Sequence, residues 1–223
     1  MAAGTGVDVW WAAPVDPAAA PALVALLDHH ERERMARFRL PADAARYLAA
    51  HALARIVLGR ARDLPPAALV LDRTCRCGAQ HGKPTLDGGP EFSLTHAGDL
   101  VGVAVSGGGA VGLDVEQVRP MADLAAMAEH VGAPAEPEAF FRAWTRKEAL
   151  LKATGEGLAG PMTAITLGER GVVAWTGPGA PRGPVWLHDL RPARGHPAAV
   201  AGLGDAPGSV RVLAGTPLLR HGS

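Results

Sequence analysis

The sequence contains one pattern of secondary structure twice. Residues 6–10 read Gly-Val-Asp-Val-Trp and residues 112–116 read Gly-Leu-Asp-Val-Glu, two strand-like segments of the same design. Each is followed by an Ala/Leu-rich helical segment, by a longer helix and by further strand-like segments. This order indicates a tandem duplication of one α+β unit, and two packed copies leave a cleft that suits a small ligand.

The pattern also locates the individual elements. The predicted short helices cover residues 21–30 and 121–130, and the predicted long helices cover about residues 43–59 and 139–154. Further strand-like segments lie at residues 68–72, 91–106, 164–167, 172–175, 185–190 and 198–203. Asp43 is a good N-cap for the first long helix, and Gly155 is expected to end the second.

The boundary between the copies is expected in the glycine run 107–109. It separates an N-terminal half, residues 1–106, from a C-terminal half, residues 107–223. The predicted fold class is therefore α+β, with two pseudo-symmetric α/β halves related by tandem duplication and an active site in the cleft between them.

The charge balance excludes a general attraction to nucleic acid. The 22 Lys and Arg residues offset the 22 Asp and Glu residues, so a polyanion would need a local basic patch. Asp8 and Asp16 lie where a signal peptide would be apolar, and the uncharged stretch 101–113 is shorter than the roughly 20 residues of a spanning helix. We therefore expect a cytoplasmic protein with no nucleic-acid or membrane partner.

Acidic side chains share one face of the second strand-like segment. Residues 111–116 alternate in polarity, so Asp114 and Glu116 point to the same side. Neighbouring like charges repel each other unless a cation or water lies between them. This segment is therefore either an exposed acidic strand end or one side of a cation site.

The second long helix adds an acid and a base. Trp144, Glu148 and Lys152 recur every four residues and share one stripe of the helix. An ordinary surface ion pair between Glu148 and Lys152 is one interpretation. Lysine is scarce, however, because 19 of the 22 basic residues are Arg and the remaining lysines are Lys83 and Lys147. A lysine in such a chain indicates a need for an ammonium group, with chance as the alternative.

A convergence of these acidic residues would create a metal site. Asp114, Glu116 and Glu148 would supply only oxygen ligands, which suits Mg²⁺ rather than zinc. Such a site leaves positions for water and phosphate, and it therefore indicates phosphate chemistry.

The two motifs together resemble a known family. Residues 112–116 (Gly-Leu-Asp-Val-Glu) and 144–155 (Trp-Thr-Arg-Lys-Glu-Ala-Leu-Leu-Lys-Ala-Thr-Gly) resemble the 4'-phosphopantetheinyl transferases of the Sfp-like class. Upstream, residues 82–84 (Gly-Lys-Pro) and 92–96 (Phe-Ser-Leu-Thr-His) fall where that family contacts coenzyme A. The resemblance extends over roughly residues 28–203.

The resemblance implies a monomer with coenzyme A in the cleft and Mg²⁺ on its pyrophosphate. The implied metal ligands are Asp114, Glu116 and Glu148. The implied coenzyme A contacts are Lys83, Thr95 and His96, with Arg34 and Arg46 at the nucleotide end, whose 3'-phosphate suits an arginine. The alternatives for that end are Arg32, Arg37 and Arg39, because the surrounding sequence is rich in arginine.

The implied reaction is that of a holo-[acyl-carrier-protein] synthase type of transferase. It moves 4'-phosphopantetheine from coenzyme A to a serine of an acyl or peptidyl carrier protein and releases 3',5'-bisphosphoadenosine. The implied catalytic residues are Asp114, Glu148 and Lys152. Glu148, directly or through metal-bound water, takes the serine proton, and Lys152 stabilises or protonates the departing phosphate. His96 holds a phosphate in this interpretation, although its titration range also permits a base.

Two features depart from the family pattern. Residues 119–138 are shorter and richer in Pro and Ala than the family stretch that helps to receive the carrier protein. The carrier, and with it fatty-acid, polyketide or nonribosomal peptide synthesis as the pathway, is therefore left open. Cys75 and Cys77 with His81 permit a zinc interpretation, but their spacing is too tight and no fourth ligand follows, so a free-thiol turn is favoured.

Two alternative functions use the same residues. A metal-dependent phosphohydrolase would need a further water-activating group, and the sequence shows no additional Asp/His cluster. An inactive carrier-protein binding module would be expected to have lost a carboxylate or Lys152, and all of them are present. The transferase is therefore the favoured function.

Overall fold

The computed structural model describes residues 6–74, 78, 80–155, 161–177 and 179–221. In chain order, the helices and strands are β1 (Val7–Ala12), α1 (Pro21–Leu26), α2 (His29–Ala36), α3 (Pro41–Arg62), β2 (Leu71–Thr74), β3 (Gln80–Leu86), β4 (Glu91–Ala97), β5 (Leu100–Ser106), β6 (Val111–Val115), α4 (Leu124–Val131), α5 (Pro137–Thr154), β7 (Ile165–Gly168), β8 (Gly171–Trp175), β9 (Val185–Ala193), β10 (His196–Leu203), β11 (Val210–Ala214) and α6 (Thr216–His221). This mixture confirms the predicted α+β class.

The strand order repeats from one half to the other. In the first half, β1 pairs with β5 and β5 with β4, and α3 packs on β4 and β5. In the second half, β6 pairs with β10 and β10 with β9, and α5 packs on β6 and β10. All of these pairs are antiparallel, and a separate hairpin, β2–β3 or β7–β8, follows each long helix. The predicted tandem duplication is therefore confirmed by topology.

The C-terminal strand lies outside the repeat. β11 pairs in parallel with β1, so the sheet of the first half has the order β11-β1-β5-β4. Leu219 of α6 is buried in the same core as the apolar face of α3. The predicted boundary between residues 106 and 107 stays a prediction. It assigns β11 to the C-terminal half, whereas the hydrogen bonds of β11 are made with β1 of the N-terminal half.

The long helices begin earlier than predicted. α3 begins at Pro41 rather than at Asp43, and Asp43 lies in its first turn. α5 begins at Pro137. A proline favours the first turn of a helix because its missing N–H has no partner to satisfy there. The predicted end of α5 is confirmed, since Gly155 adopts a φ of 76°. Within the described ranges, no helix has the length and hydropathy of a membrane-spanning segment.

A third apolar core joins the two halves. Val9 of β1 and Leu113 of β6 are each 0% exposed and belong to one cluster. The opposite face of β6 lies against α5, where a Cβ on Gly112 would be 1.9 Å from the Ala149 carbonyl oxygen. Only glycine permits this approach of the helix backbone. The predicted alternation in β6 is confirmed, and it places Asp114 on the α5 side.

The predicted helix at residues 21–30 is two helices. α1 ends at Leu26, and Asp28 is the N-cap of α2. The Asp28 carboxylate accepts from the Glu31 N–H at 2.8 Å, and the Glu31 carboxylate accepts from the Asp28 N–H at 3.0 Å. This reciprocal capping box starts a new helix.

A buried ionic network attaches α2 to α3 and β2. Arg55 Nε of α3 donates to Glu31 Oε2 at 2.7 Å, and both side chains are 0% exposed. Arg55 Nη2 donates to Asp28 Oδ2 at 2.7 Å. Arg73 of β2 donates to Asp28 at 3.2 Å and to Glu31 at 2.5 Å. Two carboxylates and two guanidinium groups therefore compensate one another, and of the four only Asp28 is substantially exposed to water.

His51 completes this network. Its Nδ1 lies 2.8 Å from Glu31 Oε1. Burial raises the pKa of Glu31, but the hydrogen bond and charge of His51, the charge of Arg55 and the Asp28 N–H together lower it from 4.5 to about 2. Because the pKa is lowered in the folded state, this carboxylate stabilises the fold above pH 4.5, and the contribution is lost as the pH falls toward 2.

Arg55→Met is expected to lower the free energy of unfolding by about 3–5 kcal/mol, because it removes a buried cationic partner from the fully buried Glu31 carboxylate and from the partly exposed Asp28 carboxylate. The matched control is Arg37→Met. Arg37 is exposed and lies 3.9 Å from Glu33, so its loss should cost less than about 0.5 kcal/mol. Urea unfolding followed by circular dichroism measures both. Equal midpoints for the two variants would contradict a structural role of the network.

Candidate functional site

Side chains connect β6 to the first half of the protein. One edge of β6 pairs with β10, and the other edge faces β4. Across this second edge, Ser93 Oγ accepts from the Leu113 N–H at 3.0 Å, and Thr95 Oγ1 accepts from the Val115 N–H at 3.1 Å. We call Ser93 and Thr95 the hydroxyl bridge. It satisfies buried N–H groups that a neighbouring strand would otherwise bind.

Two lysines satisfy carbonyl groups of the same β6 edge. Lys83 Nζ of β3 donates to the Val111 carbonyl at 2.9 Å, and Lys152 Nζ of α5 donates to the Leu113 carbonyl at 3.1 Å. Lys83 also pairs with Glu91 at 3.3 Å. Burial lowers the pKa of Lys83, whereas the Glu91 charge raises it. The strand that carries Asp114 is thus held from both halves.

Asp114 is the buried centre of the site. Its Oδ1 accepts from Lys152 Nζ at 2.6 Å and from Thr95 Oγ1 at 3.3 Å. Its Oδ2 is buried and has no hydrogen-bond partner among the residues that the structure describes. Burial raises the pKa of Asp114 to about 6 even though Lys152 lowers it, and the charge of Glu116 raises it further. A buried carboxylate with an unpaired oxygen suits a cation.

The other two predicted ligands, Glu116 and Glu148, belong to the same set of interacting charges as Asp114. Burial raises the pKa of Glu148 from 4.5 to about 7, and the charges of Asp114 and Glu116 raise it further, while Lys152 lowers it. Glu148 is 8% exposed. Glu116 is partly exposed and accepts from Arg119 Nη1 at 3.1 Å. The three carboxylates therefore share one neighbourhood in which they repel one another.

The chemistry of this set fits Mg²⁺. Oxygen ligands and mutual repulsion favour a hard divalent cation, and the unpaired Asp114 oxygen offers it a ligand. In the described ranges, however, no three His, Cys, Asp or Glu side chains are arranged so that they could hold a metal ion. The assignment of Asp114, Glu116 and Glu148 as metal ligands therefore stays a prediction.

Basic side chains surround His96 on β4. The His96 ring is exposed, but neighbouring protein atoms desolvate it and lower its pKa, and the charges of Lys152, Arg46 and His51 lower it further. We call Arg46, His51, His96 and Lys152 the basic cluster. Three of its members were predicted site residues that lie far apart in the sequence, and such a cluster suits an anionic ligand.

Arg46 and Arg34 differ in how firmly they are held. Arg46 Nη1 donates to the Gly98 carbonyl at 2.9 Å, and its Nη2 donates to Asp43. Arg34 is exposed near the end of α2. Burial raises the pKa of Tyr47, and Arg34 is among the charges that lower it. The Tyr47 ring stacks on His51 with a centroid separation of 3.9 Å, so Arg34 acts at the margin of the basic cluster.

Lys147 has a structural position. Its Nζ donates to the carbonyl oxygens of Val131, Gly132 and Met162 at 2.6, 3.2 and 2.9 Å. Burial lowers its pKa. The ammonium group therefore attaches α5 to the end of α4 and to the segment before β7, outside the basic cluster.

Sequence reasoning missed two residues of the site. Ser93 shares a face of β4 with Thr95, so the period of two along the strand could have indicated it. His51 lies five residues after Arg46 on α3, a spacing that gives only a weak signal. Cys75 and Cys77 and the side chain of His81 lie outside the described residues.

A cavity of about 570 Å³ borders the site from the side of β10, where its lining residue Pro197 accepts from the Glu116 N–H at 3.1 Å. It is bordered by α5, β9 and β10, and its lining includes Glu136, Arg142, Asp189 and Arg194. None of the predicted site residues lines it. The candidate site is therefore defined by the junction of β4, β6 and α5 rather than by cavity volume.

Both halves match models of one protein family. Residues 11–107 match the model described as 4'-phosphopantetheinyl transferase, N-terminal. Residues 110–174 match the model of the 4'-phosphopantetheinyl transferase superfamily, and this segment contains β6 and α5.

Individual relatives carry the same name. The chain is 34% identical over 154 residues to the 4'-phosphopantetheinyl transferase HetI of Nostoc sp., covering 61% of this chain and 63% of HetI. It is 31% identical over 171 residues to a putative 4'-phosphopantetheinyl transferase of Synechocystis sp., covering 70% of this chain and 68% of the relative. It is 32% identical over 149 residues to the 4'-phosphopantetheinyl transferase psf-1 of Bacillus pumilus, covering 61% of each. The matched region spans slightly less than two thirds of HetI.

Glu148→Gln is expected to raise the free energy of unfolding by about 1–3 kcal/mol at about pH 8 in EDTA, because the buried wild-type carboxyl group must ionise there. The folded-state pKa is raised from 4.5 to about 7, so this group's stabilising contribution is present below pH 4.5 and lost as the pH rises through 7. The two proteins should therefore differ little near pH 4.5.

Denaturant unfolding over a pH series measures this difference. Glu169→Gln is the matched control, because Glu169 is exposed in the turn between β7 and β8. The repulsive environment of Glu148 would be contradicted if the difference in the free energy of unfolding between Glu148→Gln and the wild type did not change with pH.

Proposed function

Because the chain belongs to the 4'-phosphopantetheinyl transferase family, we propose that it transfers 4'-phosphopantetheine from coenzyme A to a serine of an acyl or peptidyl carrier protein. The carrying observation is Asp114, a buried carboxylate that accepts from Lys152 of the basic cluster and whose Oδ2 has no hydrogen-bond partner among the described residues. The second product is 3',5'-bisphosphoadenosine. In this proposal the protein is a Mg²⁺-dependent enzyme of the holo-[acyl-carrier-protein] synthase type.

The basic cluster is the proposed site for the phosphates of coenzyme A. Arg46 and His96 offer guanidinium and imidazole donors, and Lys152, whose charge acts on His96, donates to Asp114 at 2.6 Å. Arg34, which is exposed near the end of α2, is proposed to bind the 3'-phosphate at the nucleotide end.

Lys83 and Thr95 are also proposed to contact coenzyme A, but their polar atoms already have protein partners. Lys83 Nζ binds the Val111 carbonyl and Glu91, and Thr95 Oγ1 binds Asp114 and the Val115 N–H. A ligand that contacts them would therefore share these groups with β6.

Asp114, Glu116 and Glu148 are the proposed Mg²⁺ ligands. When bound, the ion neutralises charge on the pyrophosphate of coenzyme A. Even without the ion, Lys152 offsets part of the charge of Asp114 through its 2.6 Å contact.

The side chains of α5 carry the proton transfers in the proposed reaction. The carrier serine oxygen forms a bond to the β-phosphorus, and the bond from this phosphorus to the bridging oxygen breaks. Glu148, with a pKa of about 7, can accept the serine proton near neutral pH. Lys152 Nζ, oriented by the Leu113 carbonyl and Asp114, stabilises or protonates the departing phosphate.

The direct test is to incubate an apo carrier protein with this protein, coenzyme A and Mg²⁺. The carrier is expected to gain the mass of one phosphopantetheine group in mass spectrometry. A panel of acyl and peptidyl carriers covers the possible pathways. Release of pantetheine phosphate without an acceptor would instead support the phosphohydrolase, and the absence of transfer to every carrier would contradict the proposal.

Asp114→Asn and Glu148→Gln are each expected to lower the transfer rate about 100-fold or more, because each removes a charged group from the reacting centre. Glu169→Gln is the control and should retain wild-type activity, because the Glu169 side chain is exposed in the turn between β7 and β8 and only its backbone carbonyl contacts α5. Circular dichroism checks the fold of each variant. Wild-type rates in either site variant would remove that residue from the mechanism.

Arg46→Gln is expected to raise the KM for coenzyme A about 10-fold, because one charge-assisted hydrogen bond is lost. Arg34→Gln tests the nucleotide end in the same way, and dephospho-coenzyme A shows which arginine binds the 3'-phosphate. Dephospho-coenzyme A lacks the 3'-phosphate, so a variant that has lost only its contact with this phosphate should have the same KM for dephospho-coenzyme A as the wild type. Arg211→Gln, on the distant strand β11, is the control. Unchanged KM values in both site variants would contradict the assignment.

A further inference from the structure

We propose that Thr95 is a positioning residue that orients Asp114 from the opposite half of the protein. This inference rests on the proposed function, and it goes beyond a contact of Thr95 with coenzyme A. The hydroxyl of Thr95 contacts two groups of β6, the Asp114 carboxylate at 3.3 Å and the Val115 N–H at 3.1 Å.

The hydrogen-bond directions follow from the chemistry of these groups. A backbone N–H can only donate, so Thr95 Oγ1 must accept from Val115. A hydroxyl group has one hydrogen, and the ionised Asp114 carboxylate is an acceptor. The Thr95 hydrogen is therefore directed at Asp114 Oδ1. Thr95 is only 4% exposed, so water competes little for this hydrogen.

The register of β4 and β6 explains why Thr95 meets this carboxylate. The hydroxyl bridge joins residues 93 and 95 of β4 to residues 113 and 115 of β6, so the two strands run in the same direction in this region. Asp114 lies between the two anchored N–H groups of β6. Ser93 anchors only the backbone of Leu113, whereas Thr95 anchors backbone and carboxylate together.

Two donors then hold the same carboxylate oxygen. Lys152 Nζ and Thr95 Oγ1 both contact Oδ1 of Asp114, from α5 and from β4 respectively. With Oδ1 held from two directions, rotation of the carboxylate is restricted, so Oδ2, which has no hydrogen-bond partner in the described part of the chain, keeps its orientation. If the Thr95 hydroxyl is removed, Lys152 is the one of these two donors that still contacts Oδ1 of Asp114.

The test separates this role from coenzyme A binding. Thr95→Val keeps the shape of the side chain and removes the hydroxyl. Because this hydroxyl is already engaged by Asp114 and the Val115 N–H, any contact with coenzyme A is a shared and minor one, so the variant is expected to lower kcat about 10-fold or more while the KM for coenzyme A stays within about twofold of wild type. Thr95→Ser restores the hydroxyl and is expected to recover most of kcat. A raised KM with unchanged kcat in Thr95→Val would overturn the inference in favour of a coenzyme A contact.

Two further variants control for burial and for stability. Thr145→Val removes an equally buried hydroxyl, which donates to the Arg142 carbonyl within α5, and it should keep wild-type kinetics. Ser93→Ala removes the acceptor of the Leu113 N–H but no contact of Asp114. If the two variants lose similar stability, Ser93→Ala should therefore lower kcat less than Thr95→Val does. An equal loss of kcat in Ser93→Ala would overturn the inference, because destabilisation of β6 would then explain the effect.

Hydrogen exchange adds a measurement that does not depend on turnover. The Val115 amide is expected to exchange faster in Thr95→Val, and the Leu113 amide faster in Ser93→Ala, each because its acceptor is lost. Unchanged exchange of Val115 would contradict the bond on which the inference depends. If the wild-type protein transferred no phosphopantetheine, the proposed function would fail. An active wild type with a fully active Thr95→Val variant would overturn only this inference.

Discussion

The junction between β4 and β6 depends on side-chain hydrogen bonds where a sheet would have backbone bonds. Ser93 and Thr95 accept from N–H groups of β6, and Lys83 and Lys152 donate to its carbonyl groups. β4 and β6 belong to different sheets, so these side-chain bonds hold the two strands side by side without a backbone ladder between them. Asp114 projects from β6 at this junction, where it is buried and bound through Oδ1 while Oδ2 has no partner among the residues that the structure describes.

Buried carboxylates in this protein have pKa values shifted in opposite directions. Glu31 is fully buried, and its pKa falls to about 2 because His51 and Arg55 outweigh the effect of burial. Glu148 is also buried, and its pKa rises to about 7 because other carboxylates add to the effect of burial. The first environment stabilises the fold near neutral pH, and the second destabilises it. Functional sites typically contain such destabilising environments, because they shift the pKa of a group toward the value that its role in proton transfer needs.

Each half of the protein contains one copy of the repeated aspartate, and the strand that lies beside each copy explains why only Asp114 belongs to the candidate site. Asp8 occupies in β1 the place that Asp114 occupies in β6. In the first half, β11 adds to the sheet beside β1, and Asp8 pairs with Arg211 of that strand at 2.6 Å. In the second half, the corresponding edge faces β4 and the hydroxyl bridge. The same local sequence therefore produces a surface ion pair in one half and a buried carboxylate in the other.

The sequence alone determined the duplication, the α+β class, the two faces of β6 and the stripe that carries Glu148 and Lys152, because these features depend on periods of two and of about 3.6 residues. It did not reveal the partners of Glu31 or the hydroxyl bridge, because these contacts join elements that are distant in the chain. Only the tertiary structure decided that Thr95 is bound to Asp114 and that β11 joins the first sheet. Local patterning specifies which face of an element is buried, whereas packing decides which other element covers it.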